Sequence, residues 1–349
     1  MSKNIKVFVG MSGGVDSSVT AALLQEQGYE VTGVYMKNWS QDLPGMTCPW
    51  KEDYQDAKRV AVHLGIPFKL YDFEIEYRQK VVDYMLREYQ AGSTPNPDIM
   101  CNQEVKFKLF LEAALEDGAD MIATGHYARI RVGRLLTGID SNKDQSYFLY
   151  RVHESALKRS IMPIGEYEKP AVRELARKFG LSTAEKKDSQ GICFVGKVGI
   201  KDFLQHELGN QSRGAVIDQH GKKIGEHDGA IFYTIGQRHG LEIGGGLPYY
   251  VIGKDMTKNE VYVTTDLQDT HLWRSELELT DLHWINGSPQ PNKTYQVRTR
   301  YRAPLVPAEI MIKNDKALVK LSDEVRAITP GQSTVIYDGE YVLGGGIVT

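Results

Sequence analysis

Three short stretches hold residue types able to do covalent or phosphate chemistry. Residues 7–18, VFVGMSGGVDSS, run from a strand-like pattern into a turn rich in Ser and Gly, and a helix-like pattern follows from Val15. Ser12, Gly13, Gly14 and Ser17 would set backbone N–H groups and two hydroxyls at a helix N-terminus, a nest for an anion that the helix dipole strengthens. The glycines let a ligand approach the backbone closely. The turn lacks the lysine that a P-loop carries after its second glycine. Asp16 would repel a bare phosphate, which makes sense if Mg²⁺ accompanies the ligand. The plainer alternative is an ordinary glycine-rich strand–helix turn.

The other two stretches carry thiols. In residues 93–102, STPNPDIMCN, Pro95 and Pro97 stiffen the chain, Asp98 stands three residues before Cys101, and Asn102 begins a helix. A thiolate is favoured near a helix N-terminus, and a neighbouring carboxylate suggests a nucleophile with an acid–base partner. Asp98 as a helix N-cap with Cys101 as a packed side chain accounts for the stretch equally well. In residues 185–196, EKKDSQGICFVG, Cys193 follows Gly191 on what reads as a loop, with Lys186 and Lys187 close by. A mobile cysteine near cations suits a carrier of sulfur as a persulfide, whereas a short strand ICFV with a buried thiol is the structural alternative.

The elements that must position these residues alternate between strand and helix through the first half. Strand patterns IKVFVG, VTGVYM, PFKLYDF and ADMIATGHYARI are separated by helix patterns over about 15–27, 54–64, 74–90 and 102–116. This alternation predicts an α/β domain with a doubly wound parallel sheet. Ligands of such sheets sit at the carboxyl ends of the strands, which singles out Gly10, Met36 and Gly125. From about Gly214 short β runs punctuated by Gly, Asn-Gly and Pro take over, among them AIFYTIGQ, YYVIGKD, EVYVTT and VRTRYR. The expected organisation is a catalytic domain over 1–200, a small β-rich central domain over 201–268 and a C-terminal β-barrel over 269–349.

Composition bounds the partners. The 349 residues carry a net charge of −3, with 41% hydrophobic and 25% charged residues, so a nucleic acid would have to be held by local patches. No run of about 18 apolar residues is present, and the chain opens directly into a strand with no signal peptide, which leads us to expect a cytoplasmic protein with no membrane partner. Three cysteines are not a disulfide scaffold, and none sits in a CxxC pair, which weakens a zinc reading, so no metal ligand is assigned.

SGGVDSS between a strand and a helix resembles the signature of the PP-loop ATP pyrophosphatases. That family holds the pyrophosphate of ATP and uses the α-phosphate to adenylate an oxygen, so a loop with no lysine would bind the departing pyrophosphate. GMSGGVDSS, NPDIMCN and GICF together, in this order and over essentially the whole chain, resemble the tRNA-specific 2-thiouridylases. The resemblance implies replacement of the C2 oxygen of a wobble uridine by sulfur, with ATP and its Mg²⁺ as cofactors and tRNA as substrate. A sulfur-relay protein or cysteine desulfurase would hand on the persulfide, and the oligomeric state stays open.

Carried over residue by residue, the resemblance gives Gly10, Met11, Ser12, Gly13, Gly14, Val15, Asp16 and Ser17 to the ATP phosphates, with Met36 and Gly125 along the nucleotide. Asn96, Pro97 and Asp98 would surround the target base, with Asp98 as acid–base group. Cys193 would hold the persulfide, and Cys101 would be the second thiol, forming a transient Cys101–Cys193 disulfide on turnover. His126, the loop residues Lys143, Asp144 and Gln145, and Gln332 would contact tRNA. VRTRYR, read as a strand, sets Arg298, Arg300 and Arg302 on one face for phosphates and Tyr301 on the other for stacking, against the alternative of a solvated strand face. The wobble base would have to leave its stack to reach ATP. Cys48, in SQDLPGMTCPW, fits no functional pattern.

Competing readings are a PP-loop amidotransferase or ligase that uses ammonia, an RNA thiolase whose three cysteines hold an iron–sulfur cluster, and a vestigial, non-enzymatic RNA-binding loop.

Overall fold

The computed structural model describes residues 5–43, 45, 47–187, 199–241, 243–244 and 248–349. Cys193 and its flanking QGICFVG stretch lie outside the described residues.

The chain opens with β1 (Lys6–Gly10), α1 (Val15–Glu26), β2 (Glu30–Lys37), α2 (Trp50–Leu64) and β3 (Phe68–Asp72). Two longer helical stretches, α3 (74–90) and α4 (97–116), precede β4 (Met121–Ala123). A hairpin of β5 (Ala128–Arg131) and β6 (Arg134–Thr137) follows, then β7 (Ser160–Ile161) and α5 (Lys169–Lys178). Strands β3-β2-β1-β4-β7 form one sheet in that order, every pair parallel. The chain winds outward from β1 in one direction and returns through β4 in the other. The reversal lies between β1 and β4, so the crevice for a ligand opens at the ends of these two strands.

Sequence explains these elements locally. Val7, Phe8 and Val9 in β1 are all buried, the continuous apolar run of a strand covered on both faces. α1 buries nine of its twelve residues, and its small side chains Ser17, Ser18, Ala21 and Ala22 let it lie close to its neighbours. α3 and α4 each contain a wider π-helical stretch, Arg78–Val82 and Cys101–Leu109.

After α6 (Ile200–Leu208) comes a central sheet of β8 (Gly214–Ile217), β9 (Lys223–His227), β10 (Tyr250–Asp255) and β11 (Glu260–Thr264), in the order β10-β11-β8-β9. β12 (Trp273–Trp284), β13 (Thr294–Arg298), β14 (Val306–Lys313), β15 (Lys316–Arg326), β16 (Ser333–Asp338) and β17 (Tyr341–Val348) are joined antiparallel, and pairing of β12 with β17 closes a six-stranded barrel. The α/β domain, small β-rich domain and β-barrel read from the sequence are all present.

Three local expectations need correction. ADMIATGHYARI is not one strand: β4 stops at Ala123, and β5 belongs to the hairpin, which joins the barrel sheet through β6 and β17. The backbone at Gly125 passes so close to α1 that a strand with side chains could not continue there; a Cβ would lie 2.7 Å from the Ser17 nitrogen. Residues 230–232 within AIFYTIGQ form a turn of 3-10 helix instead of a strand. The strand read over VRTRYR ends at Arg298, and Arg302 takes a left-handed φ of 62° in the turn before Pro304.

The cores run across domain limits. One buried cluster holds Cys101 and α3 residues Val81 and Met85 together with Phe232, Val251 and Val261 of the central domain. Another joins Phe8 and Phe110 to Val335, Tyr337 and Val342 of the barrel.

Candidate active site

The turn after β1 splits by exposure. Met11, Gly13, Val15 and Ser17 are buried, whereas Ser12 is exposed and Gly14 and Asp16 are partly so. Met11 and Val15 therefore pack into the core and can offer a ligand only their backbone. Ser17 Oγ accepts from the Ser12 nitrogen at 3.1 Å and donates to the Gly14 carbonyl, which braces the turn. Gly13 has φ of 75°, and a Cβ there would lie 2.3 Å from the Asp53 carbonyl oxygen, so only glycine fits. A Cβ on Gly14 would meet only Ser12 Oγ, at 3.5 Å; the room is on this side. No side chain caps α1 at Gly14, which leaves its first N–H groups directed to that open face. Met36 reaches over Gly10, and Gly125 lies against Ser17, so both strand-end positions border the turn.

Read in line, the charge of Asp16 asks for Mg²⁺ to offset it. In the structure Lys169 of α5 donates to both carboxylate oxygens, at 2.8 and 2.9 Å, and the Tyr127 hydroxyl donates to one of them at 2.8 Å. Lys186 pairs with Asp53 and Asp56 of α2 at 2.8 and 2.6 Å. Lys186 thus lies beside the helix that touches Gly13.

Cys101 is not at a helix N-terminus in the way the sequence suggested. The helix starts at Pro97, with Asn96 as N-cap accepting from the Asp98 nitrogen at 3.2 Å, so Asp98 is in the first turn and is not the cap. Asn96 precedes Pro97 and has the side chain for the cap, which is why the helix begins five residues early. Cys101 falls one turn further in, at the start of the π-helical stretch, and is 2% exposed. Burial raises the Asp98 carboxyl above the ordinary range, and the charge of Lys106 opposes this. His126 is buried, pushed well below the usual imidazole range by that burial and then by Lys106, and its Nδ1 is 2.7 Å from the Thr124 hydroxyl. Its ring lies 5.7 Å from that of Phe107 of α4, tilted by 40°. A run of contacts therefore leads from the glycine-rich turn through Gly125 and His126 to Phe107 of α4, the helix whose first turns carry Asp98 and Cys101.

Cys48 contacts the Trp39 carbonyl through its sulfur at 3.6 Å, and burial raises its thiol; it packs as a small apolar side chain.

The proposed RNA contacts divide. Asp144 is buried and accepts from the Gly138 and Ser146 nitrogens and from Arg298. Gln145 holds the Tyr127 nitrogen at 3.0 Å, and Gln332 donates to the Thr94 carbonyl at 2.7 Å. Arg300 donates to the Ile235 carbonyl and to Thr329 Oγ1, and Tyr301 packs 4.4 Å from Phe148. The three arginines share no strand face. Lys143, Arg298 and Arg302 instead line one pocket of about 360 Å³ with Ser141 and Asn142.

Sequence reading missed Lys106 and Lys169, and it saw Lys186 only as a cation near Cys193. No local motif marks these lysines; each acts on a group brought near by the fold or by helical spacing.

A parallel sheet whose switch point carries a phosphate turn with no lysine of its own, coupled to two β modules, defines an enzyme of the PP-loop ATP pyrophosphatase class. Family models match residues 5–197 (tRNA methyl transferase HUP domain), 201–265 (tRNA methyl transferase PRC-barrel domain) and 274–348 (aminomethyltransferase beta-barrel domain). The tRNA-specific 2-thiouridylase MnmA of Enterococcus faecalis is 46% identical over 98% of this chain and 95% of its own. Its namesake in Listeria monocytogenes serotype 4a is 48% identical over 99% of this chain and 95% of its own. The chain belongs to the tRNA-specific 2-thiouridylase family.

Proposed function

We propose that this chain catalyses ATP-dependent 2-thiolation of the wobble uridine of tRNA. The observation that carries the reading is the run of contacts at the carboxyl end of the sheet, from Ser17 through Gly125 and His126 to the helix bearing Asp98 and Cys101. In this reading the anion nest and the helix carrying the part-buried Asp98 carboxyl and the buried Cys101 thiol act on the same bound nucleotide and base.

ATP lies with its pyrophosphate on the N–H groups after Gly13, its base side bordered by Met36. Mg²⁺ bound with the phosphates would be held by Asp16, in competition with Lys169, and would offset the charge of the leaving pyrophosphate. The uridine C2 oxygen attacks the α-phosphorus and pyrophosphate leaves, which turns that oxygen into part of a good leaving group. A donor protein loads Cys193 as a persulfide. The Cys101 thiolate attacks the inner sulfur, the Cys101–Cys193 disulfide forms, and the outer sulfur leaves as hydrosulfide to add at C2 and expel AMP. If the outer sulfur adds to C2 first, the same disulfide results. Either route oxidises the two thiols by two electrons, which a cytosolic reductant restores. Asp98, kept protonated to higher pH by its burial, exchanges the proton with the attacking sulfur.

Asn96 and Pro97 flank the base, and His126, held neutral, lines the floor. Lys143 presents charge to the RNA, while Asp144, Gln145, Arg300, Tyr301 and Gln332 hold the surface that receives it.

Nucleoside mass spectrometry of tRNA incubated with the protein, ATP, Mg²⁺ and a sulfide source tests the reading. A gain of 2-thiouridine is expected. An aminated uridine would replace sulfur by ammonia chemistry, and unchanged tRNA with no pyrophosphate released would reduce the chain to an RNA-binding protein.

A further inference from the structure

The phosphate turn has no lysine within its own sequence, yet the fold delivers one. Lys169 is the first residue of α5, and it comes from 153 positions beyond Asp16. Its side chain is 11% exposed, its ammonium meets both Asp16 oxygens, and it lies 5.6 Å from the Tyr127 ring centre. This is an awkward place for a lysine. A cation in the first turn of a helix opposes the macrodipole, and extraction from water costs more than an isolated ion pair usually returns. Stability of α5 does not account for it, since Arg177 and Lys178 already sit at the favourable end. What does account for it is the anion nest: Asp16 is the second residue of α1, beside the uncapped N–H groups, where an incoming phosphate meets a negative charge.

We propose that Lys169 is the positioning cation of the nucleotide site, the counterpart of the missing loop lysine. It neutralises Asp16 and so lets the turn accept the pyrophosphate portion of the nucleotide even without a divalent cation. The inference rests on the nucleotide reading above and deepens it. Tyr127 fixes the carboxylate from the other side, so Asp16 stays turned toward Lys169 until a metal ion competes for it. Binding of the phosphates then has two modes, one supported by Lys169 alone and a tighter one in which Mg²⁺ shares Asp16.

The test measures binding, not turnover. Inorganic pyrophosphate is titrated calorimetrically into the full chain, once in EDTA and once with Mg²⁺. Lys169→Gln is expected to weaken binding in EDTA by about tenfold or more, the scale of one charged contact, with Mg²⁺ restoring part of it. Asp16→Asn should bind pyrophosphate more tightly than wild type in EDTA and gain less from Mg²⁺. The double variant should fall between the two single ones. Lys169→Arg, which keeps the charge, should stay within a few-fold of wild type, and it decides the matter if Lys169→Gln does not fold. Equal EDTA affinities for wild type and Lys169→Gln, or weaker binding by Asp16→Asn, would overturn the role of Lys169 and leave the nucleotide site standing. Wild-type protein that binds neither pyrophosphate nor ATP in either buffer would remove the site and the role together.

Discussion

Asp98 and Cys101 stand three residues apart on one helix and so share a face. The carboxyl is held above its ordinary range by burial, and this has a sign. A group whose folded pKa lies above the unfolded value favours the fold while protonated, and that advantage is lost as pH rises through the folded pKa. Asp98→Asn should therefore be more stable than wild type at pH 8, by about 1.4 kcal/mol for each tenfold by which burial weakens the acid, with the gap closing near pH 4 in thermal unfolding. The same variant should lose thiolation. The proposed mechanism separates the three cysteines by role: Cys193→Ser should still release pyrophosphate with tRNA present but transfer no sulfur from a persulfide donor. Cys101→Ser should accumulate persulfide on Cys193 without turnover, and Cys48→Ser should behave as wild type. Mass spectrometry of the protein and of tRNA nucleosides checks all three. Persulfide on Cys101 would reverse the assignments, and iron with loss of activity in Cys48→Ser would favour a three-cysteine cluster.

At the scale of elements, the turn between β1 and α1 carries two glycines that look alike in sequence and differ in their surroundings. Gly13 is pressed against the Asp53 carbonyl with positive φ, so Gly13→Ala should destabilise the fold by about 1–3 kcal/mol from backbone strain, with the collision against Asp53 adding to it. A Cβ on Gly14 would meet only Ser12 Oγ at ordinary contact distance, so Gly14→Ala should leave the unfolding free energy within about 0.5 kcal/mol of wild type while a methyl group intrudes on the phosphates. A fall in ATP affinity without a fall in stability is the expected signature, read by calorimetry beside thermal unfolding. The positions of α1, β2 and β3, and the length of α3, were legible as patterns of apolar residues. The start of α4 was not, because Asn96 and Pro97 cap a helix whose next apolar positions are interrupted by the Asp98 charge. The end of β13 was also missed, since alternation in VRTRYR is as regular as in a true strand and only the Pro304 turn breaks it.

Across the whole molecule, three domains meet at the STPNPD loop. The Thr94 nitrogen donates to the Pro330 carbonyl of the barrel at 2.9 Å, its hydroxyl is 3.3 Å from that of Thr234 in the central domain, and Arg300 ties barrel to central domain through Ile235. Arg300→Ala should consequently lower thermal stability and weaken tRNA binding with little change in its salt dependence. Lys143→Ala and Arg302→Ala, at the rim of the basic pocket, should each reduce the salt slope of tRNA binding by about one unit. Filter binding from low to moderate salt distinguishes them; a full unit lost in Arg300→Ala would return that residue to direct phosphate contact. Among the described residues no helix is long and apolar enough to cross a membrane.

Residue types at fixed spacing determined the phosphate turn, the Asp98–Cys101 pair, the parallel sheet and the succession of β modules, because nests, helix faces and buried strands are properties of a few neighbouring residues. The sequence alone also carried the family resemblance, through motifs short enough to be read in line. Tertiary structure alone decided which charges meet. Lys169 reaches Asp16 and Lys186 reaches Asp53 and Asp56 in ion pairs, and Arg300 turns inward to hydrogen-bond the Ile235 carbonyl, because such contacts depend on separation in space and leave no spacing in the chain. It decided as well that β5 and β6 extend the barrel, since an edge strand pairs with whatever open edge the packing of two domains brings beside it.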